Sequence, residues 1–262
     1  MNKKWRKIAS DSWVIFKIEM SELFSRPTEA LMFFTQFVLF YVLAAIPLWF
    51  FGVASLKFLG ALYFAAMLNT IGLSQFSNLV LKKLESGEYE AYMLTPTSIL
   101  SLYLSNLYTI WMIIPIFLLG YIPGIIEAGI FSLNLPLLIL ALILTIISNA
   151  GISIILTGIH LAYRSIREVV GIAGILIYFF CMFGVIGLIH AHPWNYVILA
   201  IPWTNSTILM TQSFNLNLNN SPIAYNIVYL TLFTLVTLPI SLKIYKKAEK
   251  RAKKHGFTHQ RQ

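Results

Sequence analysis

Six long apolar stretches constrain this chain more than any other feature. They cover residues 30–54, 58–81, 99–121, 135–162, 169–191 and 224–242, and none holds an Asp, Glu, Lys or Arg. Each comes close to the ~20 residues that a helix, rising ~1.5 Å per residue, needs to cross a hydrocarbon core of ~30 Å. A soluble domain has no use for such repetition. Charged residues make up only 11% of the chain, against about 25% in ordinary soluble domains. Backbone exposed to lipid must satisfy its hydrogen bonds within its own segment, and no barrel-like alternation is present, so the stretches are expected as helices. The expected fold is all-α and integral to a membrane, a single domain over residues 1–262. It divides into an N-terminal helix within 1–29, a six-span bundle over 30–242 and a basic tail over 243–262.

The cations assign sides. Lys3, Lys4, Arg6, Lys7, Lys17 and Arg26 precede the first stretch, Lys82 and Lys83 follow the second, and Arg164 and Arg167 follow the fourth. The tail adds Lys243, Lys246, Lys247, Lys250, Arg251, Lys253, Lys254 and Arg261, whereas the opposite loops hold Lys57 alone. By the positive-inside rule both termini are cytoplasmic, and the protein is expected as a multi-pass protein of the cell membrane. The same placement argues against nucleic acid as a partner, because the net charge of +9 is not gathered on one folded face. Membrane lipid is the expected partner of the basic tail.

Two segments flank the bundle. Trp5, Ala9, Trp13, Phe16, Met20, Leu23 and Phe24 recur at spacings of three and four, with Asp11, Lys17, Glu19 and Glu22 off that stripe. This predicts an amphipathic helix in the cytoplasmic interface, broken at Arg26-Pro27. Residues 192–223 carry no Asp, Glu, Lys or Arg yet hold Pro193, Trp194, Pro202 and Trp203. They are too apolar for a free loop and too broken to span, so 193–212 is expected as re-entrant or interfacial helix on the outer side.

The stretches also lack chemistry. A proton-coupled transporter needs ionisable groups in the membrane, and an enzyme needs a nucleophile or an acid–base pair; neither is present. No phosphate-binding G-x-x-x-x-G-K-[ST] loop occurs either, and no HExxH or GxSxG. Cys181, the single cysteine, reads as a packing residue. His160, His190 and His192 lie at the ends of stretches, without metal-ligand spacing. The chain is therefore expected not to be an enzyme and to bind no metal or cofactor. Gln36, Asn69 and Asn149 are the polar residues within the stretches that merit attention; they read as interhelical hydrogen-bonding groups first and as candidate substrate contacts second.

Against this background residues 85–98 form a polar island with three carboxylates, Glu85, Glu88 and Glu90. Ser86 is expected to cap a short helix whose first turn holds Glu88 and Glu90. Tyr89, Tyr92 and Met93 would share one face, and Thr95-Pro96 would end the helix and start the next span. An aromatic face with acidic flanks suits docking into a groove of a soluble partner.

Glu85, Gly87, Glu90, Thr95, Pro96 and Ser98 resemble the E-x-G-T-x-E-x-L-L-x-T-P-x-S pattern after the second span of permease subunits of type 2 ATP-binding cassette (ABC) exporters. The chain departs from the pattern at Glu88, Tyr92 and Met93. The span count, the N-terminal helix and the broken outer segment are similar too. The resemblance implies that the island is a coupling helix seated on a separate ABC ATPase, with Glu85, Gly87, Glu88, Tyr89, Glu90, Tyr92 and Met93 as docking residues. Arg164, Arg167 and Glu168 would form a second contact. It further implies a second permease chain, as homo- or heterodimer, ATP and Mg²⁺ held by the ATPase, and export of drug-like, lipid-like or other amphipathic cargo. The rival expectation is a multi-pass assembly factor or passive channel, outside that family, that docks another cytoplasmic protein through 85–98.

Overall fold

The computed structural model describes residues 3–25, 56–85, 99–119, 133–162, 174–181, 199–216 and 222–255, with isolated positions 28, 35, 50, 87 and 172. The described residues are all-helical. In chain order the helices are α1 (Lys3–Ser25), α2 (Leu56–Glu85), α3 (Ile99–Leu119), α4 (Leu135–Ala162), α5 (174–181), α6 (Pro202–Ser213) and α7 (Ile223–His255). The expected first stretch, 30–54, apart from positions 35 and 50, and the ends of the fifth, 169–191, apart from position 172, lie outside the described residues.

Helix ends follow local chemistry. Asn134 caps α4, its Oδ1 accepting from Leu137 N–H at 3.2 Å, one of the orphan donors that every helix start carries. Helix α6 begins with Pro202 behind the extended Ile201, where the missing N–H costs nothing. It ends with Asn215 at φ 54°. Asn215 N–H donates to Gln212 O at 3.0 Å and Leu216 N–H to Thr211 O at 3.3 Å, so both bonds of a Schellman stop are made. Asn134 N–H then donates to Ser213 O at 2.8 Å, joining the end of α6 to the start of α4.

Helix α2 is the core. Leu59, Ala61, Leu62, Phe64, Ala65, Ala66 and Leu73 are all buried, as expected of a helix apolar around its whole circumference. It meets α3, α4 and α6. Helix α6 sits among α2, α4 and α7 and is buried from Thr204 to Thr211. The expectation of a helix in the outer segment is met at Pro202–Ser213, although its surroundings are neighbouring helices on several sides. Helices α4 and α7 pack closely because glycine removes side chains between them. A Cβ on Gly151 would stand 2.6 Å from Thr237 Oγ1, and one on Gly158 would stand 3.2 Å from Tyr245 Cα.

Among the described residues two helices are long and apolar enough to cross a membrane. They are Leu135–Ile159, with mean hydropathy 2.5, and Ile223–Ala252, with mean hydropathy 1.9. Their outer faces remain greasy. Val228, Leu232, Leu235, Val236 and Ile240 on α7 are exposed, as are Ile139, Ile143 and Ile147 on α4 and Ile175, Leu176 and Phe179 on α5. Contiguous apolar surface of this kind marks a membrane or a partner rather than water.

Helix α1 packs on α3 through residues that only partly overlap the expected apolar stripe. Ile8, Ser12, Ile15 and Phe16 are buried, whereas Ala9 and Trp13, members of the expected stripe, are exposed. The side chains of Trp5, Leu23 and Phe24 lie outside the description. The contact is made with α3: the Tyr108 ring centroid lies 5.8 Å from that of Trp13 and 5.7 Å from that of Phe16, both pairs edge-to-face, and Ile15 is buried next to Phe16 in the chain.

Candidate functional site

Two places gather the polar residues of interest. The first is the end of α2. The helix continues past the expected limit of the apolar stretch, through Lys83 to Glu85. Gly87 follows with φ 79°, a left-handed conformation that glycine adopts without a Cβ penalty and that commonly stops a helix. Gly87 therefore belongs to the stop of α2; Ser86, the expected cap of the island helix, lies outside the described residues. Glu85 is the last residue of α2. Glu88, Tyr89, Glu90, Tyr92, Met93, Arg164, Arg167 and Glu168 lie outside the described residues.

Close to this end, α1, α2 and α3 converge on a carboxylate. Glu19 Oε1 stands 3.9 Å from Lys83 Nζ, with the two side chains 12% and 11% exposed. Thr109 Oγ1 donates to Glu19 Oε2 at 3.5 Å, a long contact for a charged acceptor. Glu19 Oε1 itself accepts no hydrogen bond. One turn back on α3, Asn106 is fully buried and neither end of its amide finds a hydrogen-bond partner. Expectation placed Glu19 off the apolar stripe of α1 and gave Lys83 only the role of marking a side.

The second place is a buried polar node that joins α2, α4 and α6. Asn149 Nδ2 donates to Asn69 Oδ1 at 3.0 Å, and Trp203 Nε1 donates to Asn149 Oδ1 at 3.0 Å. Asn69 Nδ2 donates to Ala65 O at 2.9 Å. The Ser206 hydroxyl lies 2.9 Å from both Asn69 Oδ1 and Trp203 O, and its single proton serves one at a time. Ser153 Oγ adds a further rung to Leu73 O at 2.9 Å. Gly72 makes the approach feasible, since a Cβ there would meet Asn149 Nδ2 at 3.3 Å.

Asn69 and Asn149, expected as interhelical groups or substrate contacts, are thus brought together with their amides engaged by protein. Gln36 lies outside the described residues. Trp203 and Ser206 are the members that sequence reasoning missed. The available signal was Trp203 just after Pro202 inside an otherwise uncharged segment, which marks an aromatic N–H at a helix start. Among the described residues no three His, Cys, Asp or Glu side chains assemble into a metal-binding group. What the node can do is mechanical. It fixes the register of three helices against one another.

Comparison with protein-family models and with curated proteins finds no match to this chain.

Proposed function

We propose that the chain is the membrane-spanning permease subunit of an ABC exporter, with six spans, cytoplasmic termini and no ATPase site of its own. The observation that carries this reading is the polar island, and above all Glu85 and Gly87 at its start. Glu85 is the last residue of α2 and the first of the three carboxylates that the resemblance places at the motor. Gly87 stops α2 with a left-handed turn and so redirects the chain where the resemblance puts a coupling helix. The uncharged stretches supply the complementary reason: a bundle without intramembrane ionisable groups has no proton-coupling residue of its own, which suits an outside motor.

On this reading Glu85, Gly87, Glu88, Tyr89, Glu90, Tyr92 and Met93 rest in a cleft of the ATPase, with Arg164, Arg167 and Glu168 as the second contact. ATP and Mg²⁺ reside in that partner, and two permease chains enclose the path. Closure of the ATPases pushes on the end of α2. Asn69 lies sixteen residues back from Glu85 on the same helix, or about 24 Å along its axis. There the node passes the motion to α4 and α6. Uncharged, aromatic-rich spans suit drug-like, lipid-like or other amphipathic cargo.

The test is charge reversal at Glu88 and Glu90 in the full permease co-expressed with its ATPase. Loss of co-purification and of permease-stimulated ATP hydrolysis is the expected result. Retention of both would mean that the island does not dock the motor.

A further inference from the structure

We propose that Glu19 makes α1 a proton-controlled clamp: the helix holds against α3 and the end of α2 while the carboxyl is protonated, and loosens when it ionises. The geometry carries the inference. Glu19 is the member of the α1 contact face with a titratable carboxyl, and it is nearly withdrawn from water at 12% side-chain exposure. A carboxylate so placed needs strong donors. It has a hydroxyl at 3.5 Å and an ammonium at 3.9 Å, beyond ordinary hydrogen-bond reach.

Among the described residues the charged surroundings are few. From α2 the facing group is Lys83, and from α1 it is Glu22, whose like charge opposes ionisation. From α3 come the hydroxyls of Ser105 and Thr109 and the phenol of Tyr108, which packs on the neighbouring Phe16. Helix α3 contributes no Asp, Glu, Lys or Arg. Burial outweighs Lys83 and pushes the Glu19 carboxyl from its ordinary 4.5 up to about 7.

The sign follows from linkage. The docked helix binds the proton more tightly than the released helix, so docking is strongest below pH 4.5 and weakens progressively as pH rises from 4.5 to about 7. With a carboxyl near 7 when docked and 4.5 when released, the docked-to-released ratio falls about tenfold between about pH 6 and about pH 8. An ordinary surface ion pair would behave the opposite way, opening in acid. The clamp meets α2 two residues before Glu85, so release would free the segment that leads into the island. The clamp does not depend on what the island binds.

The experiment uses the full chain in nanodiscs, with nitroxides on Ser10→Cys and Met112→Cys in a Cys181→Ala background. Both labelled positions are exposed, one on α1 and one on α3. Pulsed electron resonance should show one short distance in acid and a longer population that grows as pH rises from about 4.5 to about 7. Glu19→Gln, which mimics the protonated carboxyl, should remain docked throughout. Lys83→Met, which removes the charge favouring ionisation, should move the midpoint to higher pH. A flat distance across the range, release on acidification, or a transition that survives in Glu19→Gln would each overturn the clamp.

Discussion

Asn69 offers the sharpest check on the node, because its Oδ1 is the point at which two other helices meet α2. Replacing it with Leu keeps the shape and removes the acceptor for Asn149 Nδ2 and Ser206 Oγ. Interhelical hydrogen bonds in membrane proteins contribute on average about 0.6 kcal/mol each. Ser206 can turn fully to Trp203 O at 2.9 Å, so its loss is small. Asn149, 1% exposed, has no such retreat, and an orphaned buried donor costs about 1–3 kcal/mol. Asn69→Leu is therefore expected to destabilise the bundle by about 2 kcal/mol, most of it from the stranded amide.

That origin makes a further prediction. Adding Asn149→Leu removes the stranded donor but strands Trp203 Nε1; adding Trp203→Phe removes that as well. The triple variant should recover at least about 1 kcal/mol relative to the sum of the single losses, since removing all partners of a buried bond is far milder than removing one. Equilibrium unfolding in mixed detergent micelles, followed by circular dichroism, measures each step. If Asn69→Leu unfolds within about 0.5 kcal/mol of the parent, or if the losses simply add, the node does not hold the helices together as described.

Other substitutions test other joints. Gly151→Ala should gain about 1 kcal/mol in helix propensity yet lose about 1–3 kcal/mol to overpacking, because its Cβ would lie 2.6 and 2.8 Å from Thr237 Oγ1 and Cβ. Gly158→Ala, with its closest approach at 3.2 Å, should be milder; thermal unfolding of the two variants in the same detergent gives the order. At Gly87 a new Cβ meets no atom within 4 Å, so Gly87→Ala should cost about 1–2 kcal/mol through the left-handed backbone alone. Gly87→Asn should restore most of that, because Asn tolerates the conformation, and an equal loss in both variants would refute the reading. Ser153→Ala removes one rung between α4 and α2 and should cost about 0.5–1.5 kcal/mol in the same unfolding assay.

Legibility from sequence varied with the range of the forces involved. The bounds of α4 were readable because Asn134 and Pro136 mark its start and an unbroken apolar run follows. The helix within the outer segment was readable from Pro202 and the lack of charge, but its burial was not, because that depends on α2, α4 and α7 closing around it. The apolar stripe of α1 was readable from its spacing, but which residues meet α3 was not, because that depends on how the two helices pack. Tyr108 and Thr109 on α3 meet Phe16 and Glu19. Gly87 was recognised within the island, yet its role as the stop of α2 needed the backbone angle.

The amino-acid sequence by itself determined that this chain forms helices and that stretches of them are too apolar for water. Those properties rest on local terms: propensity, caps, period and the absence of charge. The tertiary structure alone decided which polar atoms meet. Asn69 finds Asn149 and Ser206, and Glu19 finds Lys83, across long separations in the chain. Such pairings depend on the rotation and register of one helix against another. A change of one residue in register turns a side chain by about 100° around its helix, and the hydropathy pattern does not constrain that angle closely enough to name the partner.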